Sequence, residues 1–289
     1  MKDFHRRSFV VSALGLLAGT TQVWAEPGVD AVFKQIEARL GGRVGLSVLD
    51  TGNGKTLSWR GGERFAMCSS FKWVLAASVL SRADSGQLHL NETIAYNSAQ
   101  LLPHSPVTAT HVKEGHMRIE DLCAAAVEES DNCAANLLLA RIDGPKSVTA
   151  YARGLGDSIT RLDRNEPSLN ENLPGDPRDT TTPDAMAQTM KTVLIGDALR
   201  ADSRAKLLEW LRKSDTGAHR LRAGLPQSWS EGDKTGTGER GAAVDNAIIW
   251  PPNRAPIVAA AYVSDSRKPV AIQEVSLADL GRLIGTRFA

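Results

Sequence analysis

A chain of 289 residues is long enough for one large domain or two smaller ones, each with its own core. The charges nearly cancel, at a formal net charge of +1, and a hydrophobic share of 42% is ordinary for a globular protein. This balance gives no electrostatic basis for binding nucleic acid or a charged membrane surface, so neither is predicted as a partner.

The first 25 residues have the pattern of an export signal. The charged start KDFHRR precedes the apolar run FVVSALGLLAG, and VWA ends at Ala25, the predicted cleavage point. Arg6 and Arg7 resemble the pair in twin-arginine signals. A membrane anchor is the alternative, but the apolar run is shorter than the roughly 20 residues that span a bilayer. We expect a mature chain, 26–289, that is periplasmic or secreted and has no membrane attachment.

The predicted elements fall into three blocks. An amphipathic helix at 30–40 precedes two strands, RVGLSVLD and KTLSW, which form a hairpin around TGNG. Helical patterns then begin near residue 69, where Phe71, Val74, Leu75 and Val79 form one apolar face. The later helical stretches are RIEDLCAAAVEESDNCAANLLLARI, with a break at Ser130-Asp131-Asn132, TPDAMAQTMKTVLIG and DSRAKLLEWLRKS. Three strand patterns follow, SWSEGDKTGTG, AAVDNAIIWP and PIVAAAYVSD, and the stretch VSLADLGRLIGTRF predicts a last helix.

This order predicts an α/β protein of the α+β type. Strands that follow one another without helical crossovers favour an antiparallel sheet, here of five strands flanked by helices. An all-α domain is inserted between the two halves of the sheet, and the active site is expected in the cleft between the domains. The predicted boundaries are 26–66 and 213–289 for the sheet domain and 67–212 for the helical domain.

The segment 161–179, RLDRNEPSLNENLPGDPRD, has three prolines and no usable period, yet it lies between helices. A run this long without regular structure is usually functional or disordered. Arg161, Arg164, Asp176 and Asp179 could tie its two ends together. We therefore predict an ordered omega loop within the helical domain.

The stretch MCSSFKWVL, 67–75, contains two adjacent serines that could act as nucleophiles. Ser69 has Lys72 three residues later, one helical turn away on the same face, whereas Ser70 has Trp73 at that spacing. A lysine beside Ser69 would lower the cost of removing its proton. The spacing alone is not specific, because Ser203 and Lys206 share it.

Three further motifs follow in order along the chain. Ser130-Asp131-Asn132 interrupts the helical block, Glu166-Pro167-Ser168-Leu169-Asn170 lies in the omega loop, and Lys234-Thr235-Gly236 lies on a late strand. With Ser69-x-x-Lys72, this set resembles the class A serine β-lactamases. The resemblance covers essentially the whole mature chain, including SPVT at 105–108 and GDKTGTGERG at 232–241.

The resemblance implies hydrolysis of the β-lactam amide of penicillins and cephalosporins through a serine acyl-enzyme, and hence antibiotic resistance. Ser69 would be the nucleophile, and Ser130 would relay a proton to the leaving ring nitrogen. Glu166 would activate the water that releases the acyl group. Either Lys72 or Glu166, the latter through a water, would be the base for acylation, and this choice stays open.

The same resemblance implies the substrate-binding residues. Asn132 would bind the side-chain amide of the substrate, Asn170 would fix the hydrolytic water, and backbone N–H groups of Ser69 and Thr237 would hold the oxyanion. The residues that would bind the substrate carboxylate are Lys234, Thr235, Gly236, Thr237 and Arg220.

No metal or cofactor is expected, because the six histidines are scattered and there is no Cys-x-x-Cys pair. The only partner expected is a small-molecule β-lactam, bound by a monomer.

The chain departs from the family pattern at several positions. Many members place an arginine where this chain has Ala243, so Arg220 is the predicted substitute. His104 stands where many have an aromatic gatekeeper. Cys68 would need a partner at Gly238 to form the disulfide of a carbapenem-hydrolysing subgroup, so that activity is not carried over.

Two other functions share these motifs. A penicillin-binding protein that acts on cell-wall peptides has the three core motifs but releases β-lactams very slowly. A β-lactam-sensing domain captures the drug without turnover. Glu166 with Asn170 argues against the penicillin-binding protein, because only a hydrolase needs to activate a water for rapid release. Sensing domains are generally fused to membrane segments, whereas the one apolar segment predicted here is a removable signal.

Overall fold

The computed structural model describes residues 28–289, so the predicted signal at 1–25 lies outside the described residues. The α-helices of this part are α1 (Val29–Leu40), α2 (Phe71–Asp84), α3 (Pro106–Thr110), α4 (Ile119–Glu128), α5 (Asn132–Arg141), α6 (Pro145–Gly154), α7 (Pro183–Met190), α8 (Ala201–Lys213), α9 (Leu221–Gly224) and α10 (Val270–Arg287). No helix among residues 28–289 is both long and apolar enough to cross a membrane.

The main sheet has five antiparallel strands, which confirms the predicted fold class. They are β1 (Arg43–Asp50), β2 (Thr56–Trp59), β3 (Ser230–Thr237), β4 (Ala243–Trp250) and β5 (Ile257–Ser264). Their spatial order is β2-β1-β5-β4-β3, so the two halves of the sequence meet where β1 pairs with β5. Two short ladders, Phe65–Ala66 with Thr180–Thr181 and Thr93–Ala95 with His116–Arg118, lie outside this sheet.

Helices cover both faces of the sheet, and this explains why its central strands are buried almost end to end. Every residue of β5, IVAAAYVS, is buried, as are the first seven of β4. On one face, α1 and α10 contribute Phe33 and Ile284 to a core in which Phe33 stacks on Trp59 at a centroid distance of 4.7 Å. On the other face, α7 and the helical segment form a second core.

Helix α2 is more deeply buried than its sequence predicts. The pattern indicates one apolar face, but all ten residues from Phe71 to Leu80 are buried, Lys72 and Ser78 among them. The reason is that α4, α5, α6 and α8 all contact this helix. A helix surrounded on every side needs no polar face, so the two buried polar residues must be satisfied internally.

The domain boundaries remain a prediction. Helix α7 lies within the predicted helical segment 67–212, yet it contacts β1 and β5 of the sheet. The helical and sheet segments are thus joined through a shared core, which holds the two walls of the cleft in a fixed relation.

The segment 161–179 is an ordered loop whose two ends are joined by an ion pair and by hydrogen bonds from backbone N–H groups to carboxylates. Asp179 pairs with Arg164 at 2.6 Å and accepts from the backbone N–H groups of Asp163 and Arg164 at 2.7 and 2.9 Å. Asp163 returns a bond by accepting from Asp179 N at 3.1 Å. Arg161 and Asp176 were also expected to join the ends, but each pairs with a neighbour two residues away. Two of the four charges therefore close the loop.

Three buried carboxyl groups cluster where β3 and β4 meet α9. Glu231, Asp233 and Asp245 place ligand oxygens within 4.8 Å of one another, and Arg222 is bonded to Asp233 at 2.7 Å. Burial, followed by the charge of Asp233, raises the pKa of Asp245 to about 8. Burial likewise raises the pKa of Asp233 to about 6. Protonation of Asp233 and Asp245 is therefore more favourable in the folded state than in the unfolded chain.

We expect Asp245→Asn to flatten the dependence of unfolding free energy on pH. A carboxyl with a raised pKa in the folded state binds its proton more tightly there than in the unfolded chain, where its pKa is about 4. That stability is present below about pH 4 and is lost as pH rises through about 8. Asparagine does not titrate and can still accept from Leu221 N, now 3.0 Å from Asp245 Oδ2.

The measurement is urea unfolding at several pH values between about 5 and 8. Wild type should lose on the order of 2 kcal/mol more than the variant across this range. Asp30→Asn, at an exposed position, is the matched control and should follow wild type. Equal slopes for Asp245→Asn and wild type would contradict the raised pKa.

Candidate active site

The local fold distinguishes the two adjacent serines. Cys68–Ser70 form a 3₁₀ turn that leads into α2. Ser70 is fully buried, and its hydroxyl donates to Met67 O at 2.7 Å. The hydroxyl of Ser69 instead lines a pocket and accepts from Lys72 Nζ at 3.0 Å. Ser69 is therefore the one of the pair that a substrate can reach.

Strand β3 passes very close to this turn at Gly236. A Cβ at this position would lie 2.7 Å from Met67 O and 3.1 Å from Ser69 N. Only glycine allows the strand to approach so closely. The approach brings Thr237 beside the nucleophile, which is where the predicted oxyanion site requires a second backbone N–H.

Lys72 stands at the centre of a buried polar network. Its Nζ lies 2.7 Å from Ser130 O, 2.6 Å from Asn132 Oδ1 and 3.0 Å from both Ser69 Oγ and Glu166 Oε1. An ammonium has three protons for these four oxygens, whereas a neutral amine has two and can accept one from Ser69. Burial lowers the pKa of Lys72, and the charge of Glu166 opposes this shift. The geometry is thus compatible with either Lys72 or Glu166 as the base for acylation.

Glu166 is positioned by contacts on both carboxylate oxygens. Ser69 Oγ donates to Oε1 at 3.2 Å, and Asn170 Nδ2 donates to Oε2 at 2.6 Å. The side chain is inaccessible to solvent. Asn170 Oδ1 is buried and has no partner among residues 28–289, so it is free to accept from a water. Glu166 and Asn170 together can hold and deprotonate a water next to Ser69.

Asn136 is a site residue that the sequence analysis missed. Its Nδ2 donates to Glu166 O at 2.9 Å and its Oδ1 accepts from Glu166 N at 3.0 Å, which clamps the backbone of the omega loop to α5. The available signal is its position one turn after Asn132, within the otherwise apolar run CAANLLLA. A polar residue on that face needs a buried partner.

The Ser130 motif forms the turn before α5. Ser130 has a left-handed φ of +57° and its Oγ lies 3.4 Å from Lys72 Nζ. Asp131 caps α5 by accepting from Ala134 N at 2.8 Å, and it also accepts from Thr108 N at 2.8 Å. Asp131 thus braces the turn, and Ser130 and Asn132 face the lysine.

Two basic residues, Lys234 and Arg220, form the part of the site that is predicted to bind the substrate carboxylate. Lys234 is fully buried, and burial followed by the charge of Lys72 lowers its pKa to about 7. Arg220 donates to Gly236 O at 2.7 Å and to Thr237 Oγ1 at 2.6 Å. With a further bond to Val244 O, three of its five N–H donors are used, and Nε is buried 3.8 Å from Glu274 Oε1, which leaves one Nη2 hydrogen for a carboxylate. The sequence gives no signal for Thr216, whose hydroxyl lies 2.6 Å from that of Thr235.

The predicted site residues converge on one pocket of about 310 Å³. Eight of them line it: Ser69, Ser130, Asn132, Asn170, Arg220, Thr235, Gly236 and Thr237. Lys72, Glu166 and Lys234 are buried next to the lining residues. Their roles remain predictions.

The three cysteines, Cys68, Cys123 and Cys133, are buried free thiols. Burial raises the pKa of Cys68 to about 12, and a Cβ at Gly238 would lie only 2.6 Å from its Sγ. Cys68 therefore packs against glycine as a small buried side chain.

Comparisons with known proteins agree with this geometry. A model of the beta-lactamase enzyme family matches residues 29–288. Beta-lactamase Toho-1 of Escherichia coli is 42% identical over 291 residues, which cover 100% of both chains. Beta-lactamase OXY-2 of Klebsiella oxytoca is 40% identical over 285 residues, covering 98% of this chain and 97% of that protein.

Among solved structures, the class A beta-lactamase of the last common ancestor of Gram-negative bacteria, GNCA4, superposes with a TM-score of 0.87. It is 51% identical and covers 90% of this chain and 100% of its own. Both sequence and fold are thus shared over nearly the full length. The chain belongs to the class A serine β-lactamases.

Proposed function

We propose that the protein hydrolyses the β-lactam amide of penicillins and cephalosporins through an acyl-enzyme on Ser69, and so confers antibiotic resistance. The observation that carries the proposal is the placement of Glu166, 3.2 Å from Ser69 Oγ and bonded to Asn170. A carboxylate there is a base for the water that releases the acyl group. The similar proteins are themselves named beta-lactamases.

In acylation, the Ser69 oxygen attacks the lactam carbonyl carbon while its proton passes to Lys72 or Glu166. Backbone N–H groups of Ser69 and Thr237 stabilise the oxyanion, a contribution of about 3–4 kcal/mol for a well-placed donor. As the C–N bond breaks, Ser130 gives its proton to the ring nitrogen and recovers one from Lys72, whose Nζ is 3.4 Å from its hydroxyl. If Glu166 took the serine proton, it passes that proton to Lys72, 3.0 Å away, and is a carboxylate again before deacylation.

In deacylation, Glu166 removes a proton from a water that Asn170 orients. The water oxygen attacks the ester carbon, the bond from that carbon to Ser69 Oγ breaks, and Ser69 Oγ takes back from Glu166 the proton that came from the water. No metal or cofactor takes part in the proposed steps. The product is a ring-opened acid.

Arg220→Ala should weaken the use of substrate and also lower the free energy of unfolding, because Arg220 is buried and the carbonyls of Gly236 and Val244 would lose this donor. We expect kcat/KM for benzylpenicillin to fall about tenfold or more, mainly through KM, because a charge-assisted hydrogen bond contributes roughly 1.5–3 kcal/mol. Steady-state kinetics measure this loss. Arg222→Ala is the matched control for the loss of a guanidinium with buried partners, because Arg222 is bonded to Asp233 and does not line the pocket. An unchanged kcat/KM in Arg220→Ala would contradict the carboxylate role.

We also propose that the protein is exported by a twin-arginine signal, cleaved after Ala25, and acts as a periplasmic or secreted monomer. The pattern at residues 1–25 supports this proposal. Intact mass of the protein recovered from the periplasm should correspond to a chain that begins at Glu26. Light scattering of that material should give the mass of one chain, and a larger mass would contradict the monomer.

The function is tested by incubating residues 26–289 with a chromogenic cephalosporin and following hydrolysis and intact protein mass together. We expect many turnovers per enzyme and no lasting adduct. A stable acyl adduct with less than one turnover per minute would instead indicate a penicillin-binding protein or a sensing domain.

A further inference from the structure

Asn172 joins the omega loop to the main sheet. Its Nδ2 lies 3.3 Å from Glu239 O and 3.4 Å from Arg240 O, in the turn that links β3 to β4. The same nitrogen donates to Ser264 Oγ, at the end of β5, at 3.1 Å. The residue has a left-handed φ of +48°, which asparagine tolerates better than most side chains. One side chain thus connects the loop to two separate parts of the sheet.

The outer part of the loop, residues 171–178, depends on this contact. Among residues 28–289, no other hydrogen bond or ion pair of this part reaches beyond residues 161–180. A cavity of about 350 Å³ is lined by this part of the loop and by Arg43 and Arg64, so packing on that side is incomplete. Asn172 is therefore the one polar attachment of residues 171–178 to the rest of the described chain.

The same turn also holds Asn170, two residues earlier in the loop. Asn170 O accepts from Glu239 N at 2.9 Å, and a Cβ at Gly238 would lie only 2.8 Å from that oxygen. The side chain of Asn170 donates to Glu166 and keeps its own Oδ1 for a water. The turn thus fixes the backbone of Asn170 directly and the chain that follows it through Asn172. A displacement of about 1 Å in such a group can cost on the order of 10²-fold in rate.

Acylation does not need this water. Ser69 Oγ lies 3.0 Å from Lys72 Nζ and 3.2 Å from Glu166 Oε1, so its proton can pass to either group directly. Glu166 is itself held by Asn136 and Lys72. Loss of the Asn172 side chain should therefore affect the step that needs an oriented water, which is deacylation.

We infer that Asn172 is a positioning residue for deacylation: by joining the omega loop to the turn between β3 and β4, it keeps Asn170 where the hydrolytic water must be oriented. Asn172 does not line the pocket, so it acts through Asn170 and does not touch the substrate. Its partners in the turn are two carbonyl oxygens, which require a donor. This inference rests on the proposed function.

The test applies single-turnover mixing with benzylpenicillin to Asn172→Gly and Asn172→Asp, and intact mass measures the rates of adduct formation and adduct loss separately. Glycine adopts a left-handed φ without strain, and aspartate keeps the shape but cannot donate to a carbonyl. We expect adduct loss to slow about fivefold in Asn172→Gly and at least as much in Asn172→Asp, less than for an unrestrained group because Glu239 N still holds Asn170 O. Adduct formation should stay within about twofold of wild type, because the contacts of Ser69 remain.

Asn253→Gly is the matched control, because Asn253 is exposed, has a left-handed φ of +58° and lies in the turn between β4 and β5. Both of its rates should equal those of wild type. Ser264→Ala, which removes one partner of Asn172, should slow adduct loss by a smaller factor.

Two results would overturn the inference. The first is an unchanged rate of adduct loss in both Asn172 variants, including the case in which less adduct forms because the protein is merely less stable. The second is an equal slowing of adduct formation and adduct loss. Failure of wild type to turn over benzylpenicillin would instead contradict the proposed function itself.

Discussion

Glu166→Ala protein should become trapped as an acyl-enzyme on Ser69 when it is given a penicillin. The carboxylate is bonded to Asn170 at 2.6 Å and lies 3.2 Å from Ser69 Oγ, so its removal takes the base away from the place where water must attack. A general base contributes about 10²–10⁴ to a rate. We expect the deacylation rate to fall roughly a thousandfold.

Intact mass spectrometry, quenched at intervals, measures the occupancy of the acyl-enzyme directly. Glu166→Gln is the matched variant, because it preserves volume and the hydrogen bond from Asn170 while losing basicity. Both variants should accumulate one adduct per chain and keep the backbone clamp to Asn136. Sustained turnover in Glu166→Gln would show that another group activates the water.

The acylation rate of the same two variants bears on the choice of base. If Lys72 removes the serine proton, the adduct should form nearly as fast as in wild type. If Glu166 does so, acylation should slow by a factor comparable to that for deacylation. Single-turnover mixing separates these rates, and the four oxygens around Lys72 Nζ are compatible with both outcomes.

Strands β1, β4 and β5 were predictable because they are mostly apolar stretches between turn residues, and the antiparallel pairing follows from the absence of helical crossovers. Helix α6, Pro145–Gly154, was not among the predicted elements, and the burial of α2 on all sides was not apparent. Both features depend on contacts with neighbouring helices. The periodicity of apolar residues indicates which face of a helix packs against a core, but it does not show how many helices surround that helix.

The candidate site, too, could be predicted only in part from the sequence. Ser203 and Lys206 share the spacing of Ser69 and Lys72, but Ser203 bonds Asp84 and Lys206 bonds Glu120. No property of the spacing distinguishes the two pairs, and only the order of the other motifs does so.

Arg220 and Asn136 show more clearly that a local sequence pattern does not predict contacts between distant residues. Arg220 reaches Gly236 across 16 positions of sequence and Asn136 reaches Glu166 across 30. Local pattern holds no information on contacts of that range. Arg220 could be predicted only through a family resemblance.

Ser69→Ala should abolish turnover and covalent labelling together, a loss on the order of 10⁴-fold or more in kcat. The matched control is Ser70→Ala, which removes a neighbouring hydroxyl that donates to Met67 O and faces away from the pocket. That variant should lose about 1 kcal/mol of stability and keep most of its activity, because Ser70 is buried and Ser69 retains Lys72. Kinetics with a chromogenic cephalosporin and peptide mapping of the adduct distinguish the two serines. Label on Ser70, or turnover that survives in Ser69→Ala, would contradict the assignment of the nucleophile and of every step that depends on it.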